Sequence, residues 1–497
     1  MAGAVVAIDQ GTTSSRAIVF DAHGVEIGIA QESIPPMFPS PGWVNHDAEK
    51  LWEVTLRVTR EAIAQSGLDT RVISGIGIAN QRETTILWER ATGKPVAPAI
   101  VWQSRQSVPQ VNALIERGMG PSYQRITGLM PDAYFSASKI AWLFEDQPEL
   151  KARAEGGEIL FGTVDSWLMW KLSGGRIHIT DVSNASRTML FDIRRGDWSD
   201  ELLCDLGIPR AMMPSAVDNS GVMFETDPAL LEASIPVSGS AGDQQAALFG
   251  QSCFNPGEAK NTYGTGSFLL MNTGTEPVVS QCNLLSTIAW SLNKQITYAL
   301  EGAVFVTGSA VQWLRDGLGI IKNASEVEAL AAEVSDTGGV MFVPALVGLG
   351  APHWDQDARG TILGITRGTT SSHLARATLE AIALQTCDLI DAMKTDSGIH
   401  LTELKVDGGA SRNNLLMQMQ ADLLGVPVVR PKMTETTAMG AAYLAGLAVG
   451  TWSSFDEVRQ KWQEERRFEP KMSSSERDRI KQRWAEAILR SRGWAVQ

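Results

Sequence analysis

The sequence predicts an α/β protein built from two large, related domains that meet near residue 250. Apolar runs of strand length alternate with stretches of helical periodicity, the pattern of sheets covered by helices. A strand–turn–strand unit that opens the chain returns in plan at EAKNTYGTGSFLLMNTG (258–274), a weak internal repeat. The 497 residues, 44% hydrophobic and 20% charged, can bury substantial cores and exclude a disordered chain.

In chain order, Ala4–Ile8 and Ser15–Phe20 read as strands, DAHG (21–24) as a turn, and Val25–Ala30 as a third strand. Leu51–Ser66 has helical periodicity, with Leu51, Val54, Thr55 and Val58 on one face. VISGIGIA (72–79) and TTILW (84–88) read as further strands. VPALVGLGAPHWDQDARG (343–360) is rich in Gly and Pro and reads as irregular. TAMGAAYLAGLAVG (437–450) is too short to span a bilayer, and its Ala and Gly content fits a buried helix. From about residue 453 the chain is charged and helix-forming, which reads as a solvated surface helix.

The net charge of −13 repels phosphate backbones and anionic lipid, so neither nucleic acid nor membrane insertion is expected. Any phosphate site must then be built locally, from amides, hydroxyls and a few cations. Cys204, Cys253, Cys282 and Cys387 are far apart with no CxxC pair, which fits a reducing cytoplasm. The six histidines are dispersed, with no HExxH, and the chain enters a strand without a basic leader, so no signal peptide is expected.

Two nucleotide motifs are absent: there is no GxxxxGK[ST] and no GxGxxG. IDQGTTSSRAIVF (8–20) offers another route. Gly11 allows a tight bend, and Thr12, Thr13, Ser14 and Ser15 gather hydroxyls and amides into an arc that can bind an anion. Arg16 adds a positive charge, and Asp9 can orient hydrated Mg²⁺. By residue type alone this is equally a plain hairpin. YGTG (263–266), with Thr265, repeats the plan. In KVDGGASRNN (405–414), Gly408-Gly409 stands between a strand-like and a helix-like run, where a flat ligand can lie against the backbone.

These stretches, DxGTTSxR, GDQQAA, NTYGTG and DGGAxxN in this order, resemble the FGGY carbohydrate kinases. IANQRETT (78–85), IVWQ (100–103), TDVSNASRTMLF (180–191), YALEGAVF (298–305) and VGLGAPHWD (347–355) are similar to the branch that phosphorylates glycerol. YFSASKIAWL (134–143) and GTILGITRGTTSSHLARATLEA (360–381) resemble the family's two signature regions. The resemblance implies two ribonuclease-H-like domains of the actin/hexokinase type with the active site in the cleft between them. Residues 1–250 would bind glycerol and phosphates, and 251–497 the nucleotide. The implied reaction is ATP-dependent phosphorylation of glycerol to sn-glycerol 3-phosphate, the opening step of glycerol catabolism, with Mg²⁺. Homodimers or homotetramers are implied too.

Carried over onto this sequence, Thr12, Thr13, Ser14 and Arg16 would contact the terminal phosphates, with Thr265 opposite. Gly308, Gln312, Gly409 and Asn413 would hold the rest of the nucleotide. Arg82, Glu83, Tyr134, Asp243 and Gln244 would hold glycerol, with Trp102 and Phe268 against its carbons; Asp243 would be the base and, with Asp9, a Mg²⁺ contact. By residue type, Arg82-Glu83 supplies donor and acceptor for hydroxyls, but a lone Arg-Glu is more often a surface ion pair. Trp102 and Tyr134 read as core aromatics, and Asp243, just ahead of the helix-like AALFG, as a first-turn carboxylate. PALLEASIPVSG (228–239) is shorter than the family's sugar-bisphosphate loop and lacks its glycines and arginine, and 225–235 holds no histidine, so neither family control is expected.

Overall fold

The computed structural model describes residues 3–495. Its frame is two sheets. The first comprises β1 (Ala4–Gln10), β2 (Ser14–Phe20), β3 (Glu26–Ser33), β4 (Ile73–Asn80), β5 (Ser220–Glu225) and β6 (Pro236–Gly242), in the order β5-β6-β4-β1-β2-β3. The second comprises β7 (Ala259–Tyr263), β8 (Ser267–Gly274), β9 (Leu285–Leu292), β10 (Gln295–Val304), β11 (Leu404–Asp407), β12 (Val428–Pro431) and β13 (Glu464–Phe468). Its order is β9-β10-β8-β7-β11-β12-β13.

Five strands of each sheet share one plan. β1 and β7 each form a hairpin with the next strand, which is antiparallel to a third. On the other side each is parallel to a fourth strand, and that strand to a fifth. The recurring strand–turn–strand unit is thus the first hairpin of each half. Both tips open at the same end of their sheets' central strands, where parallel strands of α/β sheets present their ligand loops.

Helix α1 (Ala48–Ser66) begins where the Asp47 carboxylate caps the amides of Glu49 and Lys50, and ends at Gly67 with φ 69°. Its buried face, Leu51, Val54, Thr55 and Val58, covers β2 and β3. In the second half α4 (Ser371–Ser397) packs over β8 and β10 and against α5 (Asn414–Leu424).

Between the sheets lie α2 (Asp243–Gly250) and α6 (Thr436–Val449). Although α6 comes from the last quarter of the chain, it packs on β4, β6 and β1 of the first sheet. Its approach depends on missing side chains. A Cβ on Gly77 or Gly239 would land in the backbone of Ala441 or Ala445, and one on Gly440 in that of Ala246. The shared core joins Val5, Ile18 and Phe20 to Phe249, Leu270, Trp290 and Tyr443. TAMGAAYLAGLAVG is therefore a buried helix, and no helix among the described residues is long and apolar enough to cross a membrane.

Two readings of local structure change. TTILW is a strand only over Ile86–Glu89, because Thr84 follows a turn at Glu83. The charged C-terminal stretch is not simply a surface helix. Glu464–Phe468 adds an edge strand against β12, and α3 (Gly308–Asp316) and α7 (Ser474–Ser491) both flank the second core, with Trp484, Ala487 and Ile488 of α7 buried. A strand with only one apolar residue shows no alternation to read.

His46, on a short strand paired with Ala99, is fully buried, and burial pushes its imidazole down to about 4. The unfolded chain therefore takes up a proton near pH 6.5 that the folded protein refuses until about pH 4. Stability is present above pH 6.5 and is lost as pH falls through that window, by roughly 3 kcal/mol from this group. Melting curves between pH 7 and 4 should show a shallower acid loss for His46→Gln than for the native protein.

Candidate active site

The β1–β2 turn is closed by the Gly11 amide, which donates to the Ser14 carbonyl at 2.9 Å. Thr12, Thr13 and Ser14 remain partly or fully exposed at its tip. Arg16, opposite Asp9 in the strand register, is already engaged: Nη1 pairs with Glu435 at the start of α6, and Nη2 donates to Gln31 at 2.8 Å. An incoming phosphate there competes with Glu435.

At the end of β4, Arg82 and Glu83 are 2% and 1% exposed, so the reading of the pair as a surface ion pair fails. Glu83 takes a left-handed backbone, φ 61°, uncommon for a residue with a side chain. Its carbonyl accepts bonds from Ser136 Oγ at 3.1 Å and from the buried ammonium of Lys139, which hold the turn. Trp102, Tyr134 and Phe268 surround the pair. The Trp102 ring stands edge-on to Tyr134 at 5.6 Å and to Phe268 at 6.5 Å, and the Arg82 guanidinium lies 6.0 Å from the Phe268 ring. Phe268 comes from β8, three residues beyond Thr265, so the second half supplies one wall. Trp102 also donates its indole N–H to Thr12 Oγ1 at 2.8 Å.

Asp243 is the first residue of α2. Its Oδ1 accepts the Gln244 amide at 2.7 Å and lies 3.2 Å from Arg82 Nε, and its side chain is 30% exposed. The first-turn reading and the site reading thus describe one carboxylate. Oδ2 carries no hydrogen bond among the described residues. The preceding Gly242 amide donates to Ser183 Oγ at 3.0 Å, within a buried network in which Asp181 accepts from Asn184, Asn219 and Ser240. That network fixes where α2 starts. The Gln244 side chain accepts from Lys260 of β7, whose ammonium burial pushes down to about 8.

Asp9 faces this group, half-buried. Burial, and then the charge of Asp243, push its carboxyl up to about 7. No group of three or more His, Cys, Asp or Glu suited to a metal occurs among the described residues. The oxygen donors available to a cation here are the carboxylates of Asp9 and Asp243.

Across the second hairpin, Thr265 is exposed at the tip, and its carbonyl accepts from Thr307 and Ser309 at the start of α3. Gly308 lies so close to this turn that a Cβ would meet the Gly264 carbonyl oxygen at 2.6 Å. Gln312 is exposed on α3, one turn on. Gly408 takes φ 82° and presses on the Tyr263 backbone, while Gly409 beside it is open, with nothing within 4 Å of a Cβ. Asn413 caps α5 by accepting the Leu416 amide at 2.9 Å. Thr265, Gly308 and Gly408 thus form one neighbourhood, and Thr12, Trp102, Tyr134, Phe268, Arg82, Glu83, Asp243 and Gln244 another, joined through β8.

Arg187, Glu301, Lys139 and Lys260 carry much of this geometry and were given no role from the sequence. Arg187, Glu301 and Lys139 are each a lone charge in an apolar or small-residue stretch, as in YALEGAVF, whereas Lys260 follows Glu258 among polar neighbours. Such a charge must be paired when buried, and that was the available signal.

Comparison with known proteins agrees with this architecture. Residues 4–250 match the N-terminal domain of the FGGY family of carbohydrate kinases, and residues 259–449 its C-terminal domain. Glycerol kinase of Bordetella parapertussis is 57% identical over 495 residues, covering 99% of this chain and 97% of that protein. Glycerol kinase 2 of Thermotoga maritima is 56% identical over 490 residues, covering 99% of each. The crystal structure of Plasmodium falciparum glycerol kinase with ADP superposes with a TM-score of 0.94 at 35% identity, covering 98% of both chains. The chain belongs to the FGGY family of carbohydrate kinases.

Proposed function

We propose that the protein transfers the terminal phosphoryl group of ATP to glycerol, giving sn-glycerol 3-phosphate. One observation carries this reading. Trp102 walls the Arg82–Glu83 pocket and at the same time bonds Thr12 of the phosphate turn. A pocket with paired donors and acceptors and aromatic walls, suited to a small uncharged polyol, therefore adjoins a turn suited to phosphate. The relatives named glycerol kinase over nearly the whole chain support it.

In this reading the free Nη2 proton of Arg82 and the free Oε2 of Glu83 pair with neighbouring hydroxyls, while Trp102, Tyr134 and Phe268 cover the carbons. Asp243 Oδ2 takes the proton of the attacking hydroxyl, and Gln244 completes the alcohol site. Thr12, Thr13, Ser14 and Arg16 hold the terminal phosphates from residues 1–250, and Thr265 from residues 251–497. Gly308, Gln312, Gly409 and Asn413 hold the remainder of the nucleotide. Phosphoryl transfer depends chiefly on this positioning and on charge neutralisation. The carboxylates of half-buried Asp9 and partly exposed Asp243 suit Mg²⁺, which keeps much of its water and binds through one or two carboxylates plus phosphate. When bound it would neutralise phosphate charge. Cytoplasmic location and a homodimer or homotetramer belong to the same proposal.

The test is ADP release with Mg-ATP and a panel of glycerol, dihydroxyacetone, xylulose, ribulose and erythritol. Turnover should be fastest with glycerol. Turnover with xylulose and not glycerol would discard the assignment of Arg82, Glu83 and Trp102, and ATP hydrolysis indifferent to every alcohol would discard the substrate site.

A further inference from the structure

Arg82 and Glu83 belong to a larger buried assembly. Arg187, in the turn after the short helix Val182–Ala185, and Glu301, on β10 of the second sheet, are 0% and 1% exposed. Glu301 Oε2 accepts from Arg82 Nη1, and its Oε1 accepts from Arg82 Nη2 at 3.1 Å and Arg187 Nη2 at 2.9 Å. Arg187 Nε donates to Glu83 Oε1 at 2.7 Å. Two guanidiniums and two carboxylates thus alternate in a net-neutral cluster drawn from three segments and both sheets.

Counting donors and acceptors shows what the cluster leaves free. Arg82 gives Nε toward Asp243, Nη1 to Glu301 and Gln245, and one Nη2 proton to Glu301. One Nη2 proton of Arg82 remains, and Arg187 Nη1, fully buried, has no partner among the described residues. Glu83 uses Oε1 on Arg187, so Oε2 remains. A guanidinium bound along two edges cannot rotate, and a carboxylate held by one oxygen offers the other in a set direction.

We propose that Glu301 and Arg187 are positioning residues for the alcohol site: Glu301, acting from the second domain, and Arg187 together set Arg82 and Glu83 as one donor and one acceptor matched to adjacent hydroxyls of an uncharged substrate. The inference rests on the proposed function and deepens it, because it also assigns the discrimination against acids. With Asp243 and the Lys260 ammonium alongside, three cations face three carboxylates and none is left uncompensated to receive an acid. Removing the charge of Glu301 leaves one cation in excess.

The experiment compares the full-length protein with Glu301→Gln, measuring KM for glycerol and for ATP, and kcat/KM for glycerol against glycerate, a three-carbon acid of similar size. The KM for glycerol should rise about tenfold or more with KM for ATP within about twofold, and the preference for glycerol over glycerate should narrow. Leu300→Ala, next in the same strand, controls for disturbance of β10: it should lower the melting temperature and leave the KM for glycerol unchanged. An unchanged KM in Glu301→Gln, or an equal rise in Leu300→Ala, overturns the proposal. If Glu301→Gln does not fold, Arg187→Lys, which keeps the charge but loses the two-nitrogen bridge from Glu83 to Glu301, is read by the same KM split. A native protein inactive on glycerol would sink the proposed function itself; a native protein active on glycerol with unchanged variants sinks only this inference.

Discussion

Asp243→Asn is expected to lower kcat by ~10²–10⁴-fold with Mg-ATP and glycerol, the range that a positioned proton acceptor contributes. Asn has nearly the same shape and keeps an oxygen for the Gln244 amide, which Asp243 Oδ1 accepts at 2.7 Å. It also keeps an oxygen toward Arg82. What it loses is basicity at Oδ2, the atom without a partner. The KM for glycerol should change far less than kcat, because Arg82 and Glu83 retain their places. Stability should fall by no more than about 1 kcal/mol, the usual worth of a carboxylate in a helix's first turn. Steady-state kinetics beside a melting curve separate these effects. A kcat within about tenfold of the native value, together with a lower melting temperature, would leave Asp243 as a first-turn residue only.

The second large effect is structural. Gly440→Val should cost more than about 3 kcal/mol of stability, beyond most overpacking substitutions. A Cβ at Gly440 would fall within the Ala246 carbonyl, 2.6 Å from its carbon and 3.0 Å from the Gly250 amide. These are backbone atoms, so no side-chain rotation relieves the overlap. Nor can α6 retreat, because Gly77 and Gly239 of the first sheet already lie against its far side. Pushing α2 away moves Asp243 at its N-terminus, and a shift of ~1 Å at a reacting group can cost about 10²-fold in rate. Gly450→Ala is the comparison. That glycine closes α6 at φ 75° with nothing within 4 Å of a Cβ, so only the left-handed backbone is strained, at about 1–2 kcal/mol. Chemical denaturation and residual activity, measured on both variants, distinguish the crossing from the cap.

Local signals settled much of this protein in advance. The hairpin tips at Gly11 and Gly264–Gly266 were legible because tight turns select glycine and hydroxyl residues over short spans. The face of α1 was legible from its 3.6-residue period, and the burial of Thr436–Val449 from its composition. The assignment of Arg82, Glu83, Trp102, Tyr134 and Asp243 to a site came from resemblance to a family. Taken alone, the pair read as a surface salt bridge and the aromatics as core. Nothing in a local window says that Arg82 meets Glu301, 219 residues away, or that Trp102 bonds Thr12, 90 residues away.

The edge strand Glu464–Phe468 was missed because its pairing with β12 needs no alternation of its own. α6 packs on the first sheet because Gly77 and Gly239, far apart in sequence, remove side chains where it crosses, and Gly440 does the same on its other side against α2. By itself the sequence determined the elements, the turns and the kinds of chemistry available, since these follow from propensity and short-range geometry. Only the tertiary structure decided which buried charges face one another and how many donors and acceptors they leave free. A charge withdrawn from water must find its partner wherever the fold brings one, and that is a property of the packed chain.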